Sequence, residues 1–295
     1  IVVMIESSSG KVVEVNLTVS VFRFERSPIS FVTRGYNVED DLKPTGPTIR
    51  VRPGDTLRIR LKNTLGPDSD GPNNWFKLAN TTNIHVHGLH VSPRQDDVFT
   101  PVTPQSEKIY TYDIPTDHSP GTAWYHPHVH GSSSLQQGGG MAGAIVVEDP
   151  QPYFFNFTQE HVLLFQQLCF RDQGKYRDSA PYMNHLNVVK YGLDNVDPDP
   201  HYNVPNAEQD FVLTNGMYQP NITVLTSDWT RLRMINANTN AFLSMHIESS
   251  NSANVTSCEM YVLAKDGIYV PSPSYTVTHQ LLIPGSRVDI ALRCT

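Results

Sequence analysis

An all-β chain built as two β-sandwiches in tandem is what this sequence predicts, and three observations carry it. The apolar stretches are short and alternate, in the manner of half-buried strands. Charged residues make up only 17%, against 18 glycines and 22 prolines that punctuate the chain at short intervals. Helical periodicity is missing over any long window. At 295 residues the chain is long for one β-domain and sufficient for two, each able to bury a core.

The elements follow in order. Residues 12–24 alternate and read as a strand. Residues 44–61 run strand, Pro53-Gly54 turn, strand, as a hairpin would. Residues 66–74 form a polar loop. Strands are expected at 84–91, 107–114 and 121–128. A glycine-rich segment from Gly138 leads into a buried strand that ends at Glu148-Asp149. The prolines of Asp149-Pro150-Gln151-Pro152 mark a boundary, so we place one domain at 1–150, a linker at 151–159 and a second domain at 160–295. Strands are expected in the second half at 161–170, 211–214, 222–225, 230–235, 241–248, 260–264, 276–282 and 288–293. Residues 172–206, polar and rich in Pro and Asp, read as a long loop.

Composition narrows the partners. A net charge of -7 argues against nucleic acid and against an anionic membrane surface. No window approaches the roughly 20 apolar residues of a membrane helix. Ile1 opens directly into a strand-like pattern without a signal peptide, as a mature terminus would. Sequons at Asn16, Asn80, Asn156, Asn221 and Asn254 point to a secreted glycoprotein. Three cysteines suit an oxidising compartment. Cys258 and Cys294, both on strand-like segments of the second half, are the preferred disulfide; Cys169 is then free or bridged outside the chain.

The chemistry concentrates in two places, His85-Val86-His87-Gly88 and Trp124-Tyr125-His126-Pro127-His128. Along an extended strand, residues two apart point to the same face. Each pair therefore presents two imidazoles together, and on adjacent strands the four make a nitrogen wall able to hold more than one metal ion.

These motifs resemble those of the multicopper oxidases, the superfamily of laccases, ferroxidases and cuprous oxidases built from cupredoxin-like Greek-key domains. Gly46-Pro-Thr-Ile-Arg-Val-Arg-Pro-Gly-Asp-Thr56 resembles the family's domain-opening hairpin, and 121–131 its second copper motif. The close of 140–149 is similar to the end of its first domain. Arg231-Leu-Arg-Met-Ile-Asn-Ala237, Leu263-Ala-Lys-Asp-Gly267 and Pro284-Gly-Ser-Arg-Val-Asp-Ile290 resemble its second.

The resemblance implies copper as the cofactor. His85 would bind the type 2 copper, and His87, His126 and His128 the type 3 coppers. Asp96 would be a carboxylate near the type 2 copper that relays protons or orients a bound water, while Asp97 reads as a solvated loop acid. His130 is expected to be structural or to lie behind the ligands, and His90 and His118 to pack. Trp124 and Tyr125 are expected in the core and the pocket wall.

The departures from the family pattern also count. No cysteine here has a histidine beside it, so the blue type 1 site is missing, and the family's third-domain ligands are missing too. The second domain, whose histidines are scattered, is expected to hold no copper ligands. The implied function is a secreted oxidase that couples one-electron oxidation of a small reducing substrate or metal ion to reduction of molecular oxygen. This chain would supply half of the trinuclear site and need a third cupredoxin domain in cis or in trans. The alternative is a non-catalytic extracellular cupredoxin-repeat glycoprotein with a structural, assembly or binding role.

Overall fold

The computed structural model describes residues 10–26, 29–38, 43–68, 78–149, 155–169, 210–248, 257–272 and 276–295. Asn254 and the expected loop at 172–206 lie outside them.

The described chain is almost entirely β. The first set of elements is β1 (Val12–Arg26), β2 (Ile29–Asn37), β3 (Ile49–Val51), β4 (Thr56–Asn63), β5 (His85–His87), β6 (Glu107–Asp113), β7 (Gly121–His126), the six-residue helix α1 (Ser133–Gly138) and β8 (Gly143–Val147). They form two four-stranded sheets, in the orders β2-β1-β4-β6 and β3-β8-β7-β5. The alternating face of β4 and the facing side chains of β1 meet Val86, Tyr125, Ile145 and Val147 from the other sheet in one core.

The second set is β9 (Phe157–Cys169), β10 (Asp210–Thr214), β11 (Met217–Tyr218), β12 (Trp229–Asn236), β13 (Leu243–His246), β14 (Cys258–Lys265), β15 (Ile268–Tyr269), β16 (His279–Leu282) and β17 (Arg287–Cys294). Seven strands make one sheet, β11-β10-β9-β12-β17-β14-β15, and β13 and β16 pair as a separate ribbon. Leu243, Met245 and Leu282 of the ribbon pack with Met260, Val262 and Ile290 of the large sheet. Both sets open alike: β1 runs parallel to β4, and β9 runs parallel to β12.

Several expectations need correction. The segment 44–61 is not a hairpin, because β3 pairs with β8 while β4 pairs with β1 and β6, so the chain crosses between sheets at the Pro53-Gly54 turn. The first histidine strand stops at His87, where Gly88 takes a φ of 98° that only glycine adopts freely. Residues 222–225 form no strand, and β2 is a strand the pattern did not reveal. β9 begins at Phe157, within the span read as linker.

β7 and β8 are buried along their whole length, and alternation explains it. Ala123 and Tyr125 point into the first core. Trp124 and Ala144 point the other way, into a small cluster with Leu164, Ile235 and Ala237 of the second set. The even-numbered face of β7 is therefore the seam between the two sets.

A buried charge network stitches that seam. Asp289 accepts from Thr122 Oγ1 at 2.6 Å, from Arg231 Nη2 at 2.6 Å and from Arg233 Nη1 at 3.0 Å. Asp149 accepts from the same two guanidiniums at 2.6 and 3.2 Å, and Glu160 accepts from Arg233 Nε at 2.7 Å. Two arginines with 5% and 2% of their side chains exposed are tolerated because three carboxylates surround them. Arg231 is held further toward its charged form by Asp289, against the opposing effect of burial.

Candidate metal centre

The register of β5 on β7 builds the centre. His85 lies opposite His126, Val86 opposite Tyr125, and His87 opposite Trp124. Since Val86 and Tyr125 fill the core, their neighbours His85, His87, Trp124 and His126 all project from the other side of the sheet, toward the seam. One ligand atom from each of His85, His87 and His126 lies within 4.8 Å of the others. His128 sits just past the end of β7, its ring 5.2 Å from that of His85 and 6.1 Å from that of His126. The four expected histidines thus converge on one face.

Three of the imidazoles are positioned by hydrogen bonds or stacking, and His128 by its backbone. His85 Nδ1 lies 2.7 Å from Asp96 Oδ2, while Asp96 Oδ1 accepts the Val86 amide at 3.1 Å. With the carboxylate on Nδ1, the proton sits there and Nε2 keeps its lone pair. His126 Nδ1 donates to the Pro127 carbonyl at 3.0 Å, which likewise turns Nε2 into the acceptor. Trp124 stacks on both His126 and His87, with ring centroids 4.2 and 5.2 Å away. The His128 amide donates to Asn83 Oδ1 at 2.6 Å, a tether from the buried turn before β5 that pattern reading did not single out.

The second strand set closes the centre from above. A Cβ at Gly285 would stand 3.3 Å from His87 Cε1, and one at Gly88 would run into the Arg287 guanidinium. Burial, Arg287 and the neighbouring His85 push His87 down to about 4. Burial, joined by the surrounding imidazoles and opposed by the Pro127 carbonyl, pushes His126 down to about 3. Both rings are therefore neutral at ordinary pH, the form that ligates.

The donor set fits copper. His126 Nε2 and His128 Nδ1 are buried and have no hydrogen-bond partner. Buried polar nitrogens are rarely left so, and a metal ion is the partner to which imidazole nitrogens arranged in this way can donate their lone pairs. An all-imidazole set suits copper, zinc or iron rather than magnesium or calcium.

The other candidates fall as follows. Asp97 accepts from the Phe99 and Thr100 amides and from Lys108 Nζ, and its carboxyl is held down to about 2, first by Thr100. It is a loop-capping acid. His118 accepts the His90 amide on Nε2 at 2.9 Å and uses Nδ1 on the Ser119 carbonyl at 2.7 Å, so both its nitrogens belong to a turn. His130 is exposed beside His128, 6.1 Å between ring centroids. Tyr125 is a core residue and Trp124 a wall of the centre.

Cys258 and Cys294 are direct partners on β14 and β17 and form a disulfide. Asn16, Asn156 and Asn221 are exposed. Asn80 is not: it is 2% exposed, with its side chain bonded to Arg34 and to the Pro67 carbonyl, so the fold leaves no room for a glycan there.

The chain resembles known proteins in sequence and in fold. The family model for multicopper oxidase matches residues 38–152. A laccase of Thanatephorus cucumeris is 28% identical over 257 residues, which cover 83% of this chain and 38% of the laccase. A copper resistance protein A homologue of Pseudomonas syringae is 28% identical over 148 residues, 48% of this chain and 22% of that protein. The structure of a multicopper oxidase from Campylobacter jejuni superposes with a TM-score of 0.65 at 25% identity, over 98% of this chain and 52% of that one. The chain thus spans about half or less of these relatives.

Proposed function

We propose, for a chain that belongs to the multicopper oxidase family through its residues 38–152, that it supplies one wall of a trinuclear copper site in a secreted oxidase. The enzyme would couple one-electron oxidation of a small reducing substrate to reduction of oxygen to water. The observation that carries this reading is the convergence of His85, His87 and His126 within 4.8 Å, with His126 Nε2 buried and unpartnered.

His85 would hold the type 2 copper, and His87, His126 and His128 the type 3 coppers. Copper bound there would supply one-electron redox chemistry for the reduction of oxygen. The protein's own part is to prepare nitrogens and move protons. Asp96 keeps the His85 proton on Nδ1 and so offers Nε2 outward. Burial keeps His87 and His126 unprotonated, which removes competition between protons and metal. Trp124 and the Gly285 turn limit the rotamers of His87. Oxygen reduction consumes protons, and Asp96 is the carboxylate in contact with a proposed ligand, hence our choice for the relay.

Four ligands are half of what a trinuclear site needs, and no cysteine of this sequence has a histidine beside it to mark a site of electron entry. We therefore assign the remaining ligands to a third cupredoxin domain, in cis or in trans. The disulfide and the exposed Asn16, Asn156 and Asn221 support an oxidising, secretory compartment. Among the described residues no helix is long and apolar enough to cross a membrane.

The test is copper loading of the 295-residue chain followed by oxygen-electrode assays with a phenol and with ferrous iron. We expect copper to quench Trp124 fluorescence, with the quench lost in His126→Gln. No oxygen uptake is expected from the chain alone, and uptake should appear once a domain bearing the complementary ligands is added. Turnover by the chain alone would overturn the half-site reading, and undiminished quenching in His126→Gln would overturn the site itself.

A further inference from the structure

His246 and His279 are far apart in sequence, yet β13 and β16 pair antiparallel with these two residues directly opposite each other. Opposite residues share a face, and their imidazole rings stand 5.5 Å apart, centroid to centroid, tilted by 34°. That separation falls within the 5.2 to 6.1 Å found among His85, His87, His126 and His128. The strands alternate, so Leu243 and Met245 pack inward while Ser244 and His246 face solvent. His246 has 45% of its side chain exposed, and His279 is exposed as well.

The hydrogen bonds around the pair leave one ring nitrogen on each. Glu248 Oε1 lies 2.8 Å from His246 Nε2. A carboxylate there accepts a hydrogen bond from Nε2–H and leaves the lone pair on Nδ1, as in carboxylate–histidine–metal arrangements. Thr278 Oγ1 lies 3.0 Å from His279 Nδ1 and can accept its proton, leaving the lone pair on Nε2. The His90–His118 pair makes the contrast. Its rings are 5.2 Å apart, but both nitrogens of His118 are spent on backbone groups. Proximity alone does not distinguish the two pairs; a ring nitrogen left outside these hydrogen bonds on each histidine does.

We propose that His246 and His279, with Glu248 holding His246, form a surface metal site that chelates a divalent first-row ion between His246 Nδ1 and His279 Nε2. Water completes the coordination. Two neutral imidazoles with oxygen donors favour Cu(II) over Zn(II), in line with the general order of divalent affinities. The site shares no ligand with the centre on β5 and β7, so it adds a metal-capturing function to the second strand set.

Cu(II) itself is the probe. The protein, labelled with ¹⁵N in its histidines, is titrated with substoichiometric Cu(II) while ring signals are followed by NMR. The His246 and His279 signals, assigned from the His246→Ala and His279→Ala variants, should broaden together, and those of His90 and His118 should persist. In calorimetry, either variant should lose one class of copper sites and keep the rest, with an unchanged far-ultraviolet dichroism spectrum. Glu248→Gln, whose surface change spares the fold, should weaken that class by about tenfold or more, and Zn(II) should bind it less tightly than Cu(II). The proposal is overturned if neither ring broadens, if only one does, or if wild type and both variants take up the same copper.

Discussion

Asp96 binds the Nδ1 of His85 with one carboxylate oxygen, at 2.7 Å, and the Val86 amide with the other, at 3.1 Å. One side chain thus sets both the tautomer of a histidine in the cluster and the position of the strand that carries it. Its neighbour Asp97 spends its oxygens on the Phe99 and Thr100 amides and on Lys108. The two acids are adjacent in sequence and do unrelated work.

The first prediction follows from that difference. Asp96→Asn removes the charge and lets the amide present a donor to Nδ1, so the lone pair of His85 is no longer directed outward. Copper affinity of the centre should fall by about 10 to 100-fold. Asp97→Asn should leave it within about threefold, since Asp97 touches no ligand. Competition titration against a copper chelator measures both, and equal effects of the two substitutions would refute the assigned role.

A second prediction concerns acid stability of the metal-free chain. Folding lowers His126 to about 3 and His87 to about 4, from about 6.5 for an unfolded histidine. The unfolded state therefore binds more protons below about pH 6.5. The stability these neutral rings contribute is present in full above that pH and is lost as pH falls toward 4 and then 3. The slope is at most about 1.4 kcal/mol per pH unit for each ring, and less for His87, which is only partly buried. Urea unfolding between neutral pH and pH 4 should show it, and His126→Gln should flatten the dependence.

The seam between the two strand sets makes a third prediction. Asp289 is 1% exposed and satisfies Arg231, Arg233 and Thr122 at once. Asp289→Ala leaves two buried guanidiniums short of a counter-charge and should destabilise the protein by about 3–5 kcal/mol. Because Thr122 lies on β7, the same change should loosen His126, seen as reduced copper quenching of Trp124 under conditions where the chain remains folded. Chemical denaturation and fluorescence together check it; a cost below about 1 kcal/mol would mean the network contributes little.

The fourth prediction is about the bridge between β14 and β17. Cys258 and Cys294 are separated by 36 residues, a loop whose closure constrains the unfolded chain by about 3–4 kcal/mol. The double substitution to alanine should cost that much or somewhat less in denaturant unfolding. Copper binding at His85, His87 and His126 should be unchanged, because the bridge lies in the other strand set.

What the sequence determined by itself was local and periodic. The His-x-His spacing fixes two imidazoles on one face of any extended strand, which is why His85, His87, His126 and His128 could be named before any coordinate. Short alternating runs between glycines and prolines were enough for the all-β class and for most strands. Cys258 and Cys294 were also legible, since both lie on strand-like segments of the second half.

Pairing between distant strands was not legible, because the register depends on which strand lies beside which. Only the tertiary structure decided that β3 and β4 belong to different sheets, although the Pro53-Gly54 turn looks like a hairpin from within. Only it buried Asn80 beneath Arg34 and so removed one sequon of five. It also set Asp289 among two arginines and Thr122, and His246 opposite His279, residues that sequence reading had left scattered. The physical reason is common to all of these. Which side a residue faces follows from strand geometry, a property of neighbours along the chain. What it faces follows from the close packing of sheets, a property of the whole fold.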